Sequence, residues 1–175
     1  MAADARQDRA TTVRAAGPGD GAGCAVVWAD AGRHLAGLDP ELGHEPEAGG
    51  LAAWFEEQLA EERPASALWL VAIRDGQIAG FVSGAVEPPL ASACWQLQRD
   101  LAAPRLVVGA LVVGAGQRRS GVGTALMQAI EDAGRSLGAA VATLDTNLRS
   151  PLSVPFYERR MGYARRAVIF RKRLT

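Results

Sequence analysis

Arg105-Leu106-Val107-Val108-Gly109-Ala110-Leu111-Val112-Val113, followed by Gly114-Ala115-Gly116-Gln117-Arg118-Arg119-Ser120-Gly121-Val122-Gly123, is the stretch that decides how this chain folds. Its first half is apolar at both parities. A strand of that kind buries both faces and belongs inside a sheet. Past the loop, Val122, Leu126, Ala129, Ile130, Ala133 and Leu137 fall on one helical stripe, with Gln128, Glu131, Asp132 and Arg135 off it. Gly138 is placed to end the helix. The order is buried strand, glycine- and arginine-rich loop, amphipathic helix.

That order suits an anion. The first amides of a helix have no intrahelical partner, and the macrodipole adds about half a positive charge at their end. Gly121 and Gly123 remove the Cβ atoms that would hold a ligand off the backbone, and Arg118 and Arg119 add two positive charges. A phosphate or pyrophosphate is the natural occupant. The loop lacks the Gly-Lys-Ser/Thr ending of a Walker loop. It also fails the dinucleotide fingerprint, because Gly114 and Gly116 are followed by Arg119 where a glycine is needed. The plain alternative is a strand-to-helix turn with two solvated arginines.

The composition sets outer bounds. A chain of 175 residues with 49% hydrophobic content is expected to be one globular domain over residues 11–175, behind a polar N-terminal tail at residues 1–10. Net charge is zero, so nothing in bulk favours nucleic acid or a membrane surface. Cys24 and Cys94 are too few for a disulfide framework and suggest buried free thiols. No apolar leader and no uncharged membrane-length run is present, so a cytoplasmic protein is expected.

Outward from the central stretch, Thr11 to Ala15 suggests a first strand. Gly17-Pro18-Gly19-Asp20-Gly21 is a turn cluster, better taken as a connection than as a second phosphate loop because no basic residue accompanies it. Helices are expected over 22–38, with Val26, Val27, Ala31, Leu35 and Leu38 inward, and over 48–62, with Leu51, Trp54, Phe55 and Leu59 inward. Strands at 67–74 and 77–86 flank Asp75-Gly76, a strong hairpin signal that excludes an all-parallel sheet. Residues 88–104 form an irregular segment with one helical turn near 96–101. A fifth strand is expected over 139–146, a short helix over 150–161, and a last strand over 167–173. His44-Glu45 has no second histidine at metal spacing.

Arg118-Arg119-Ser120-Gly121-Val122-Gly123 fits R-x-x-G-x-G and directly follows the Leu111-x-Val113 strand end. Phe156-Tyr157 and Gly162-Tyr163 lie downstream. Together these resemble the GNAT superfamily of N-acetyltransferases. The match departs from the family pattern in four ways: Ser150 stands where an Asn is usual, Ser153 where an Ala is usual, Gly162 comes one residue late, and Ala115 stands where a proline often stiffens the end of the central strand. The resemblance implies an α/β (α+β) fold: a mixed, mostly antiparallel sheet, splayed between strands 4 and 5 and flanked by about four helices. It implies acetyl-CoA as acyl donor. Backbone groups of Leu111, Val112 and Val113 would hold the pantetheine arm. Arg118, Arg119, Ser120, Gly121, Val122, Gly123 and Thr124 would hold the pyrophosphate, and Ser150, Ser153 and Tyr157 the rest of the CoA arm. Tyr157 is the expected acid for the leaving thiolate. Glu87 is the expected base, with Asp145 or a water chain as substitutes. Trp28, His34, Trp54, Phe55 and Trp95 sit on elements that line the acceptor side in the family, though core packing is the simpler expectation for each.

The expected activity is acetyl transfer to an amine of a small molecule or peptide. The alternative is a non-catalytic acyl-CoA-binding module. Nucleic-acid binding through Arg159, Arg160, Arg165, Arg166, Arg171, Lys172 and Arg173 is disfavoured by the neutral net charge. The apolar Ala167-Val168-Ile169-Phe170, expected near a sheet edge, points to a homodimer, with Glu158 meeting a partner's basic residues.

Overall fold

The structure, a computed structural model, describes residues 10–174. The expected tail, but for Ala10, lies outside them. Two compact units divide the chain, the first ending at Asp145 and the second beginning at Thr146. The first contains β1 (Thr12–Ala15), α1 (Gly21–Leu38), α2 (Leu51–Ala60), β2 (Ala67–Arg74), β3 (Gln77–Glu87), β4 (Arg105–Val113), α3 (Val122–Ser136) and β5 (Val141–Thr143). The sheet order is β1-β2-β3-β4-β5. The first three pairings are antiparallel and β4–β5 is parallel. This is the mixed, mostly antiparallel α+β arrangement expected. Asp75 and Gly76 both take left-handed backbone angles, φ 51° and 75°, as a two-residue hairpin turn requires.

Two irregularities shape β4. Ser83 pairs with Ala110 but Gly84 pairs with Val108, so Gly109 is an extra residue and β4 bulges there. Pairing with β5 covers only Arg105 to Val107. Beyond Val107 the two strands part, which is the splay.

Alternation along the strands sorts two packed faces. On one, Val71, Phe81 and Val112 meet Cys24 and Val27 of α1 and Phe55 and Leu59 of α2. On the other lies α3, whose Leu126, Met127 and Ile130 are fully buried, each contributing about 1.5–3 kcal/mol by leaving water. Gly80 and Gly84 let α3 sit this close. A Cβ at Gly80 would stand 2.4 Å from the Val112 carbonyl oxygen and 3.2 Å from a Leu126 methyl.

The helical stripes differ in detail from expectation. In α3, Met127 and Gly134 are buried in place of Ala129 and Ala133, and Leu137 is exposed. In α1, Val26 points to solvent, and Cys24 and Ala25 take the inner positions beside Val27. In α2, Phe55 and Leu59 are buried but Trp54 is 46% exposed. In each helix, packing against the sheet chooses among neighbouring apolar residues that spacing alone leaves equivalent. Cys94 and Trp95 are exposed rather than buried, because the segment between β3 and β4 has only short 3-10 turns, at Ala93–Trp95 and Arg99–Ala102.

In the second unit the expected helix over 150–161 is one α-helical turn, Ser153–Pro155, continued by a π-helical turn, Phe156–Arg160. The expected last strand is not formed: residues 162–174 have no regular structure, and Val168, Ile169 and Phe170 are exposed. A strand exists by pairing its backbone groups, and no strand among the described residues pairs with this run. Glu158 is bound within its own unit, its two oxygens accepting from Arg165 Nε (2.5 Å) and Nη2 (3.0 Å).

Candidate active site

The loop after β4 is built to present backbone donors. Ser120 Oγ donates to the Gln117 carbonyl at 2.6 Å and closes the turn. Arg119 is a non-glycine residue with positive φ (60°), and Gly121 caps α3 at φ 89°. Gly121 is demanded there because the left-handed region penalises a side chain. No side chain caps α3, so the amides of Val122, Gly123 and Thr124 remain for a ligand. Arg118 and Arg119 make no ion pair among the described residues, whereas Arg14, Arg33, Arg105, Arg135 and Arg165 each hold a carboxylate. On the near side, the Ala115 amide donates to Asp30 Oδ2 at 3.1 Å, which ties the start of the loop to α1.

Leu111, Val112 and Val113 pair on one side with Val82, Phe81 and Gly80 of β3. On their other side they lie past the last β5 pair, and no strand among the described residues pairs with them there. The bulge and the loop therefore stand at the two ends of one unpaired strand edge.

On the α1/α2 face, at the bulge end of the sheet, lies a pocket of about 340 Å³. Small residues floor it, among them Ala67, Ala85, Val107 and Gly109, and Arg63, Trp69, Ser83 and Glu87 supply its larger or polar groups. Glu87 stands directly across from Arg105, whose Nη2 donates to Glu87 Oε2 at 2.9 Å; Arg105 is buried and Glu87 half-exposed. No other hydrogen bond among the described residues reaches Glu87. Asp145 is exposed, two residues past the end of β5. No three His, Cys, Asp or Glu side chains cluster as a metal site among the described residues.

The acetyltransferase (GNAT) family matches residues 29–163, most of the chain and all of this site. The chain belongs to that family. No curated protein sequence matches it significantly. Solved structures share the fold. An acetyltransferase from Trypanosoma brucei is 24% identical with a TM-score of 0.60, over 94% of this chain and 100% of that one. An aminoglycoside acetyltransferase from an uncultured soil metagenomic sample is 19% identical with a TM-score of 0.62, over 95% and 99%. A mutant of the BH1408 protein from Bacillus halodurans is 16% identical with a TM-score of 0.74, over 93% and 99%.

The remaining GNAT signature residues lie in the second unit. Ser150 is buried; its Oγ donates to Ser153 Oγ at 2.9 Å and accepts from the Ser153 amide at 3.0 Å. The two serines thus hold each other and open the helical turn. Tyr157 packs edge-on against Phe156 and Tyr163, with ring centroids 5.1 and 5.9 Å away. Of the acceptor-side aromatics, Trp28 stacks on Phe81 at 5.9 Å and Phe55 is core, as packing alone would have it.

Sequence reasoning missed Arg63, Trp69, Arg105 and Gly109. Gly109 had a signal, since a glycine inside a β-branched run marks a bulge. Arg105 had a weaker one: a charge opening a buried strand wants an opposite charge, and Glu87 ends the strand before it. Arg63 and Trp69 had none.

Proposed function

We propose that this GNAT protein is an acetyl-CoA-dependent N-acetyltransferase, a single catalytic domain over residues 11–175. It moves an acetyl group to an amine of a small molecule or peptide by direct attack in a ternary complex. The observation that carries this is the N-terminus of α3, which no side chain caps, with two arginines beside it that make no ion pair among the described residues and, leading to it, a stretch of β4 past its last β5 pair.

Bound acetyl-CoA supplies the activated acyl group. Arg118, Arg119 and the amides from Ser120 to Thr124 bind the pyrophosphate. The backbone of Leu111 and Val113 holds the pantetheine arm, and Ser150 and Ser153 contribute polar contacts to it. Glu87 accepts the proton of the acceptor ammonium through its unengaged Oε1, freeing the nitrogen lone pair. That nitrogen forms a bond to the carbonyl carbon, and a strand-end amide near Val112, on the edge of β4 turned away from β3, stabilises the oxyanion. The C–S bond then breaks, the nitrogen sheds its second proton to water as the amide forms, and the Tyr157 hydroxyl protonates the departing thiolate.

Tyr157→Phe tests the assignment. The acetylation rate should fall about 10²-fold, the usual worth of a positioned acid, with CoA affinity unchanged. An unchanged rate and pH profile would leave Tyr157 as packing for Phe156 and Tyr163.

A second reading, a non-catalytic acyl-CoA-binding module, is favoured by the engagement of Glu87 with Arg105. Thiol release from acetyl-CoA across an amine panel separates the two. The exposed Val168-Ile169-Phe170 run supports a homodimer. Light scattering should then show twice 18.4 kDa, and a concentration-independent monomer mass would refute it.

A further inference from the structure

We propose that the pocket on the α1/α2 face selects an acceptor carrying an anionic group several bonds from its amine, and that Arg63 reads the anion. This rests on the acetyltransferase reading above and adds the chemical class of the substrate.

Arg63 is partly buried on the wall of the pocket yet makes no ion pair among the described residues. Glu61 and Glu62 precede it directly, and it pairs with neither; Glu61 accepts from Gln58 instead. Arg63 is held over the Trp69 ring, its guanidinium carbon 4.7 Å from the centroid. A guanidinium laid on an indole keeps its N–H edge for a partner, and that edge matches the two oxygens of a carboxylate or phosphate.

Trp69 adds an independent sign. Its indole Nε1–H is the one buried side-chain donor among the described residues without an acceptor. Buried donors are nearly always satisfied, and Trp69 lines this pocket. The Arg63 guanidinium and the Trp69 indole, stacked on one another in the pocket's wall, thus both carry N–H donors without an acceptor among the described residues.

The charge balance agrees. Glu87 and Arg105 neutralise each other, so Arg63 leaves the pocket with one unbalanced positive charge. A bare polyamine would meet repulsion there. An amine that also carries an anion would not.

The register sets the spacing. Trp69 pairs with Ser83, and Glu87 lies four residues further along β3, roughly 13 Å of strand at 3.2–3.4 Å per residue. Long side chains shorten that gap, but the amine and the anion cannot share one carbon.

Matched amines of one length give the test: ε-aminocaproate, its carboxamide, hexamethylenediamine and aminohexyl phosphate. With wild-type protein and acetyl-CoA, the two anionic amines should exceed the carboxamide about tenfold in kcat/KM, and the diamine should be poorest. The better of the two anionic amines identifies the group as carboxylate or phosphate. Arg63→Ala should erase this preference, lowering kcat/KM for the anionic amines about tenfold through KM. Arg63→Lys should restore part of it, and Arg63→Gln serves if the alanine variant is misfolded by circular dichroism. Calorimetry of the same amines with CoA-loaded protein keeps the two readings apart. Arg63-dependent binding without turnover would sustain the pocket assignment and sink the transferase reading. Equal use of anionic and neutral amines, an equal loss on both in Arg63→Ala, or no binding of either anionic amine would overturn the assignment.

Discussion

Two glycine-rich turns in this protein lead from a strand into a helix, and they end differently. At the start of α1, the amides of Gly19 and Gly21 donate to Glu56 Oε2 and Oε1 at 2.9 and 2.7 Å. Asp20 takes both guanidinium nitrogens of Arg14 at 2.7 Å and the Gly17 amide at 3.0 Å. The chain's own carboxylates fill that helix end. At the start of α3 no side chain caps the helix, and Arg118 and Arg119 make no ion pair among the described residues. The same backbone device is thus a structural joint in one place and a candidate ligand site in the other. What separates them is whether a side chain of the same protein occupies the donors.

The largest break in that contrast should come from charge. Arg118→Ala with Arg119→Ala should weaken CoA binding about 100-fold, at about 1.5 kcal/mol for each charge-assisted hydrogen bond removed. The remaining binding should depend less on salt. Isothermal titration at two ionic strengths measures both, and wild-type affinity would reduce α3's turn to a mere connection. Gly123→Val places two methyl groups where the pyrophosphate approaches the amides. It should cost at least about tenfold in CoA affinity, roughly 1.4 kcal/mol, with the fold intact.

The α1 turn should respond in stability instead. Glu56→Gln keeps one acceptor oxygen and loses the charge and the second. Stability should drop by about 1 kcal/mol, with CoA affinity untouched. Urea unfolding with parallel titration checks this. A variant that loses CoA affinity but no stability would mean the two turns are not the opposites drawn here.

The contrast also marks what the sequence discloses. Turn composition alone favours the right assignment, since Gly17 to Gly21 carries no adjacent arginine pair. The partner that fills it, Glu56, lies on another helix 35 residues beyond Gly21, and no local pattern points to it. β2, β4 and the hairpin turn are legible because a continuous apolar run and a left-handed turn are local properties. The pocket is not, because Arg63 of the α2–β2 connection, Trp69 of β2, and Ser83 and Glu87 of β3 converge only once those two strands are in register. The absent last strand fails for a related reason. Ala167-Val168-Ile169-Phe170 has strand propensity, but propensity cannot supply the neighbour whose backbone would pair with it.

The smallest effect sharpens the comparison through pH. The Arg14 guanidinium, followed by the Gly17 amide, holds the Asp20 carboxyl below its usual value against the cost of its burial. A carboxylate depressed in the folded state stabilises above the unfolded value, about 3.9. Its contribution shrinks as pH falls through that value and is gone below the folded one. The α1 turn should therefore contribute to acid unfolding in the window below about pH 4. Asp20→Asn removes the titrating group, so its stability should lie below wild type at neutral pH and converge on it in acid. Thermal unfolding from about pH 2 to about pH 7 would show the convergence. Parallel curves at all pH values would mean that Asp20 acts by shape alone, and that the α1 turn is closed by Glu56 without help from the Arg14 pair.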